Sequence, residues 1–185
     1  MTAFIYSVTA SADGYIAGPD GDMSWLLPYL EDGPDPIISA LIPRITAVLM
    51  GRRSFDGDDP HAGDAEQEGT FEGQWHGPQV LLTNRAVEDP PAGFLISNTF
   101  DDAIATAREA AGPDGTVNVI GADIARQCLE AGILDEVTIA TAPLFLGQGT
   151  RLLSGSATKY SLHPVNHSPP GEQSNLHTTH YRITH

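Results

Sequence analysis

Short runs of β-branched and aromatic residues recur along this chain, and the early ones run straight into a turn cluster or a helical pattern. Residues 4–9, 47–50, 80–83, 93–97, 116–120 and 136–143 are strand-sized, and several are apolar almost throughout. Strands covered on both faces have that pattern, whereas half-exposed strands alternate. Helical patterns lie between them. Ile37, Ile38, Leu41 and Ile42 follow Pro34-Asp35-Pro36 at helix spacing, and an Ala-rich segment over 101–111 is stopped by Gly112-Pro113-Asp114-Gly115. A third helix begins at Gly121-Ala122-Asp123, runs through Ala131 and is capped by Gly132. Parallel strands need crossovers, and helices supply them. Past residue 143 the helices cease, and 160–167 and 176–183 are predicted as two closing strands joined at Pro169-Pro170-Gly171. The expected class is α/β, with a mostly parallel central sheet and an antiparallel C-terminal edge strand. A chain of 185 residues fits one domain, 1–185.

Two long loops interrupt this alternation. The first, 12–22, is crowded with Gly, Asp and Pro, and leads into Trp25-Leu26-Leu27. The second, 56–78, is acidic and Gly-rich, with Trp75 as its large anchor. Loops of such length in a compact domain are commonly functional.

Three strand ends carry the polar chemistry: Gly51-Arg52-Arg53-Ser54, Thr83-Asn84-Arg85 and Gly121-Ala122-Asp123. Ligands of open α/β sheets bind beyond the carboxyl ends of parallel strands. Two of these ends open helices, whose free N–H groups favour phosphate, and Arg52 and Arg85 add charge-assisted donors. The chain has 9 Lys plus Arg, only Lys159 being a lysine, against 24 Asp plus Glu, for a net charge of −15. That balance excludes a polyanionic partner such as nucleic acid, so the placement of the few arginines matters more than their number.

Other signatures are missing. A single lysine leaves no GxxxxGK[ST] phosphate loop, and Gly147-Gln148-Gly149 lacks the third glycine of a dinucleotide fingerprint. One cysteine rules out an internal disulfide and a multi-cysteine zinc site; Cys128 is expected as a small buried hydrophobe. His177 and His180 would point to opposite faces of one strand, which favours no metal and suggests surface positions. The start shows neither a secretion signal nor any stretch long enough to span a bilayer, so a cytoplasmic protein without a membrane partner is expected.

SADGYIAGPDG, LMGRRSFDG, VLLTNR, VIGADIARQCLEAGILDEV and APLFLGQGTRLL, in this order, make the chain resemble the dihydrofolate-reductase-like fold. Within it, the chain is most similar to the reductase domain at the C-terminal end of the bacterial riboflavin-biosynthesis deaminase-reductase and its stand-alone relatives. That resemblance implies a three-layer αβα fold and NADPH as cofactor. It implies that Gly51, Arg52, Arg53 and Ser54 hold the cofactor's phosphates, that Thr83, Asn84 and Arg85 meet the adenosine 2′-phosphate, and that Gly121, Ala122, Asp123 and Ile124 lie under the pyrophosphate. The family has Gly-Gly where this chain has Gly121-Ala122, and a Cβ there restricts the backbone or crowds the phosphate.

The same resemblance makes the loop from Ser11 to Trp25 a lid over nicotinamide, with Asp13, Gly14 and Ile16 in a DG-x-I pattern and Met23-x-Trp25 beside the substrate. Asp35 corresponds to the acid with which folate reductases bind pterin; its place before Pro36 also suits a helix cap. Asp13 and Asp35 are thus the catalytic candidates. The implied activity is NADPH-dependent hydride transfer to a small heterocyclic or sugar-derived C=N or C=O group, in a homodimer. The alternatives are dihydrofolate reductase proper, which needs a cation for the glutamyl carboxylate that the sequence does not reveal, and a nucleotide-binding module without turnover.

Overall fold

The computed structural model describes residues 1–30, 35–57, 59, 68–156, 158–168 and 175–184. Pro34, most of the acidic stretch 58–67, the connector at 169–171 and His185 lie outside the described residues.

The strands are β1 (Ala3–Ser11), β2 (Tyr15–Ala17), β3 (Ile45–Gly51), β4 (Gln79–Leu82), β5 (Phe94–Ser97), β6 (Thr116–Ile120), β7 (Glu136–Ala142), β8 (Thr150–Arg151), β9 (Ser161–Ser168) and β10 (His177–Thr184). The helices are α1 (Leu27–Leu30), α2 (Pro36–Leu41), α3 (Arg52–Phe55), α4 (Phe100–Ala111) and α5 (Ala122–Glu130). Eight strands form one sheet in the order β5-β4-β3-β6-β1-β7-β10-β9, and β2 pairs with β8 in a small second sheet. Pairing is parallel from β5 to β7 and antiparallel from β7 through β10 to β9. The antiparallel part is therefore two strands wide, and its outer edge is β9 rather than the C-terminal β10.

Burial on both faces explains the continuous apolar runs. On one face α4 and α5 supply Ala103, Ile104, Ala107, Ile124, Ala125, Cys128 and Leu129 against Phe4, Tyr6, Leu49, Val117 and Val119. On the other, Leu41 of α2 and Trp75 pack with Ile5, Val48, Met50 and Leu81. The result is the αβα layering expected. Trp75 anchors its long loop by donating Nε1–H to the Ile45 carbonyl at 2.9 Å, at the start of β3. Local signals set the helix ends. The Thr99 side chain accepts from the Asp102 amide to begin α4, and Gly112, at φ +81°, ends it.

Two expectations change. The loop over 12–22 is partly ordered as β2, because β8 offers it a partner strand. His180 is a core residue and not a surface one, at 8% exposure. Its Nδ1 pairs with the Thr138 hydroxyl at 2.8 Å and its Nε2 with Glu136 at 3.2 Å, and Glu136 also takes Arg44 at 3.2 Å. Burial outweighs the pull of Glu136 and holds the imidazole below its ordinary range, with Arg44 and Arg182 adding to the effect. The neutral ring then donates from Nε2 and accepts at Nδ1, which satisfies a histidine inside a sheet.

Candidate functional site

Parallel register brings the three sequence-selected strand ends side by side. Gly51 of β3 is opposite Leu82 of β4, and Met50 is opposite Ile120 of β6. Thr83, Gly51 and Gly121 therefore follow at one edge of the sheet, each at the carboxyl end of its strand. They border a cleft of about 1920 Å³. Single small-molecule sites occupy roughly 300–1,000 Å³, so this cleft has room for two occupants. All the residues selected from the sequence line it except Asp13, Gly14 and Trp25.

At the cleft's centre the starts of α3 and α5 come together. Gly121 has φ +98°, and a Cβ there would lie 2.5 Å from the Ser54 hydroxyl oxygen. The backbone conformation thus calls for glycine, while the Ser54 hydroxyl would have to turn aside for any Cβ. Ala122 is the first residue of α5 and is not among the positive-φ positions, so its Cβ imposes no backbone restriction. The helix start it belongs to presents free N–H groups to the cleft.

The arginines divide by what already holds them. Arg52 is engaged: Nε is 2.6 Å from Asp56, Nη1 donates to the Ala86 carbonyl at 3.2 Å, and the guanidinium lies over Phe55. Arg53 and Arg85 are exposed cleft residues without an ion-pair partner among the described residues. Asp123 is neutralised locally by Arg126 at 2.8 Å, so it does not present an isolated negative charge at the helix start. A glycine cradle beside two free guanidinium groups fits the phosphates of a dinucleotide.

The other half of the cleft is built differently. Asp35 caps α2, its Oδ1 accepting from the amides of Ile37 at 2.8 Å and Ile38 at 3.2 Å. Its Oδ2 is buried without a partner among the described residues. The capping role and an open acceptor therefore coexist on one carboxylate that lines the cleft. Met23 and Ile16 also line it, from the loop after β1. Trp25 instead packs on Ala140, Ala142 and Leu176, and its indole Nε1–H is a buried donor without a partner among the described residues.

Asp13 has a different place. Its carboxylate takes the Ser11 hydroxyl at 2.6 Å and the amides of Leu146 at 3.0 Å and Gly147 at 2.7 Å. The Ser11 hydroxyl first, then those amides, hold its pKa below the usual carboxylate range. The loop is further fastened by β2–β8 pairing and by the Leu152 amide donating to the Gly14 carbonyl at 2.9 Å. Gly149, at φ +124°, is needed where this turn passes the Ala17 carbonyl, with which a Cβ would collide. Asp13 is an ionised clamp between the loop and the turn after β7.

Sequence reasoning missed three residues of the cleft floor. Ser7 and Thr9 lie two and four residues beyond Ile5 on β1 and share its face, and Asn118 is its partner on β6. The available signal was Asn118 itself, an amide set between Val117 and Val119 in a strand interior, where Asn is depleted. Among the described residues no cluster of His, Cys, Asp or Glu could hold a metal ion, and no helix is long and apolar enough to cross a membrane.

Comparison with known proteins gives a consistent result. The family model of the RibD C-terminal domain matches residues 3–174. The uncharacterized protein YyaP of Bacillus subtilis (strain 168) is 24% identical over 167 residues, covering 88% of this chain and 86% of that one. Among solved structures, a putative riboflavin biosynthesis protein from Shewanella sp. PV-4 superposes with a TM-score of 0.75 at 23% identity, over 99% of each chain. The dihydrofolate reductase of Enterococcus faecalis, complexed with NADP(H), superposes with a TM-score of 0.66 at 12% identity, covering 98% of this chain and 95% of that one. A Thermotoga maritima diaminohydroxyphosphoribosylaminopyrimidine deaminase/5-amino-6-(5-phosphoribosylamino)uracil reductase gives 0.65 at 15% identity, covering 99% of this chain but 57% of that longer one.

Proposed function

The chain belongs to the RibD C-terminal domain family, and on that premise we propose that it is an NADPH-dependent reductase of a small polar C=N or C=O compound. One observation carries the reading: one cleft joins a glycine-floored, arginine-flanked strand edge to a pocket holding a buried carboxylate oxygen with no partner among the described residues. NADPH, when bound, would supply the hydride. Arg53, Arg85, Thr83 and the amides that open α5 would hold its phosphates, with Arg52 braced behind them by Asp56. Ile16 and Met23 would cover the reacting carbon and exclude water, which is most of what such a site contributes. The substrate carbon would accept that hydride, and a proton drawn from solvent would go to its nitrogen or oxygen. Asp35 Oδ2, buried and unpartnered, would orient the group that receives that proton.

Asp13 enters this mechanism as a positioning residue, because its three hydrogen bonds fasten the loop that carries Ile16. A cytoplasmic setting and a homodimer belong to the same proposal. In support of the latter, β9 is exposed along nearly its whole length and leaves an open sheet edge among the described residues. The test is oxidation of NADPH, followed at the nicotinamide absorbance, with dihydrofolate and with a panel of cyclic imines and pentose-derived carbonyl compounds. Turnover of panel members but not of dihydrofolate is expected. Turnover of dihydrofolate would instead make this a folate reductase, and saturable NADPH binding with no turnover would make it a binding module.

A further inference from the structure

A second cavity lies apart from the cleft, on the face of the sheet that carries α4 and α5. Those helices pack over β3 to β6, and the neighbouring stretch over β7 and β10 is roofed by residues 152–160. Strand alternation makes the space beneath that roof apolar. Val137 and Ile139 of β7 face it, while Thr138 between them pairs with His180 on the opposite face. The cavity measures about 210 Å³. Tyr6, Ala125, Leu129, Leu134, Val137 and Ile183 form its buried interior. Leu153 and Leu162 are 39% and 43% exposed, so the cavity opens to solvent on their side. Among the described residues no charged side chain lines it.

Aliphatic groups beside a void forfeit dispersion contacts, and a core relaxes inward to regain them unless something holds it open. Here the roof is fastened from outside the cavity. The Leu152 carbonyl accepts the Tyr6 hydroxyl at 3.2 Å, and the Leu152 amide donates to the Gly14 carbonyl at 2.9 Å. The preceding Thr150–Arg151 pairs with β2. These bonds, and not packing on the cavity floor, set the height of the roof over β7. An apolar space kept open in this way stays dry and accepts an apolar guest; one of about 150 Å³ holds benzene.

We propose that this cavity is a binding site for one neutral, single-ring aromatic molecule bearing at most a short alkyl group. Volume sets the upper limit, because ordinary ligand sites begin at about 300 Å³ and a partner helix is about 10 Å across. The lining sets the chemistry. Tyr6 and Tyr160 offer ring contacts, and a carboxylate would find no cation there to offset its desolvation. The proposal does not depend on the reductase reading, since the cavity holds neither the strand-end arginines nor Asp35.

Toluene and benzoate test it, because they share one carbon skeleton with a methyl in place of a carboxylate. Each is titrated into full-length protein labelled at its methyl groups, while the resonances of Leu129, Leu134, Val137 and Ile183 are followed. Toluene is expected to shift them saturably, and benzoate to bind at least roughly tenfold more weakly. Ile139→Phe places a ring inside the cavity and should abolish the toluene shifts. Should that variant fail to fold, Leu162→Trp narrows the opening from an exposed strand position and should weaken toluene by roughly tenfold. Four results overturn the site: no saturable shift up to the solubility of toluene, equal binding of benzoate, undiminished shifts in the folded variants, or the same shifts on raising the protein concentration alone. The last would mean that a second copy of the chain fills the cavity.

Discussion

At Asp35 one carboxylate oxygen is committed to the backbone amides of Ile37 and Ile38 while the other is not, so its two contributions are separable by substitution. Asparagine keeps an oxygen for the cap and caps helices about as well as aspartate, whereas alanine loses the cap at a cost of about 1 kcal/mol. Asp35→Asn is therefore expected to keep its thermal midpoint while kcat falls roughly 10- to 100-fold, the cost of losing the carboxylate that orients the reacting group. Asp35→Ala should lose both. Equal kcat in the native chain and Asp35→Asn would leave the residue with its cap alone. Gly121 is the second residue that concentrates the account. Its φ of +98° means that Gly121→Ala should destabilise by about 1–3 kcal/mol and weaken NADPH, read by chemical denaturation and titration.

Among the elements, the loop after β1 shows how a carboxylate selected as catalytic can serve geometry instead. Asp13 joins that loop to the turn at Leu146 and Gly147, and its lowered pKa keeps it ionised throughout the neutral range. Asp13→Ala should lower kcat/KM by roughly 10- to 100-fold through misplacement of Ile16, with the shape of the pH–kcat profile unaltered. Loss of one limb of that profile would make Asp13 the proton donor. His180 gives β7 and β10 a pH dependence of their own. Its folded pKa lies below the ordinary value of about 6.5, so its contribution is intact above that value and declines as pH falls from there to the folded pKa. Thermal midpoints between pH 7 and pH 5 should fall less steeply in His180→Asn than in the native chain.

These elements also mark the limit of what the sequence revealed. The strand ends at Gly51, Thr83 and Gly121 were legible because glycine and arginine at the end of an apolar run are local signals, and parallel register then aligned them. Asp35 was legible as a cap because Pro36 follows it. Ser7 and Thr9 were not, and Asn118 only as an odd amide in an apolar strand, because cross-strand pairing is what puts the three on one face over the cleft. Residue β2 positions and the core location of His180 depend likewise on partners far along the chain, at Arg151 and Glu136.

For the molecule as a whole, a net charge of −15 surrounds a cleft whose exposed edge carries Arg53 and Arg85. Such a surface repels an anionic dinucleotide except at that edge, so affinity should fall as salt screens the arginines. The direct measurement is a titration of native and Arg85→Ala protein with NADPH and NADH, followed by nicotinamide fluorescence at low and moderate salt. Saturable binding is expected, with NADPH the tighter ligand and a preference that shrinks in Arg85→Ala and with added salt. No saturable binding of either nucleotide, or a preference indifferent to Arg85, would contradict it.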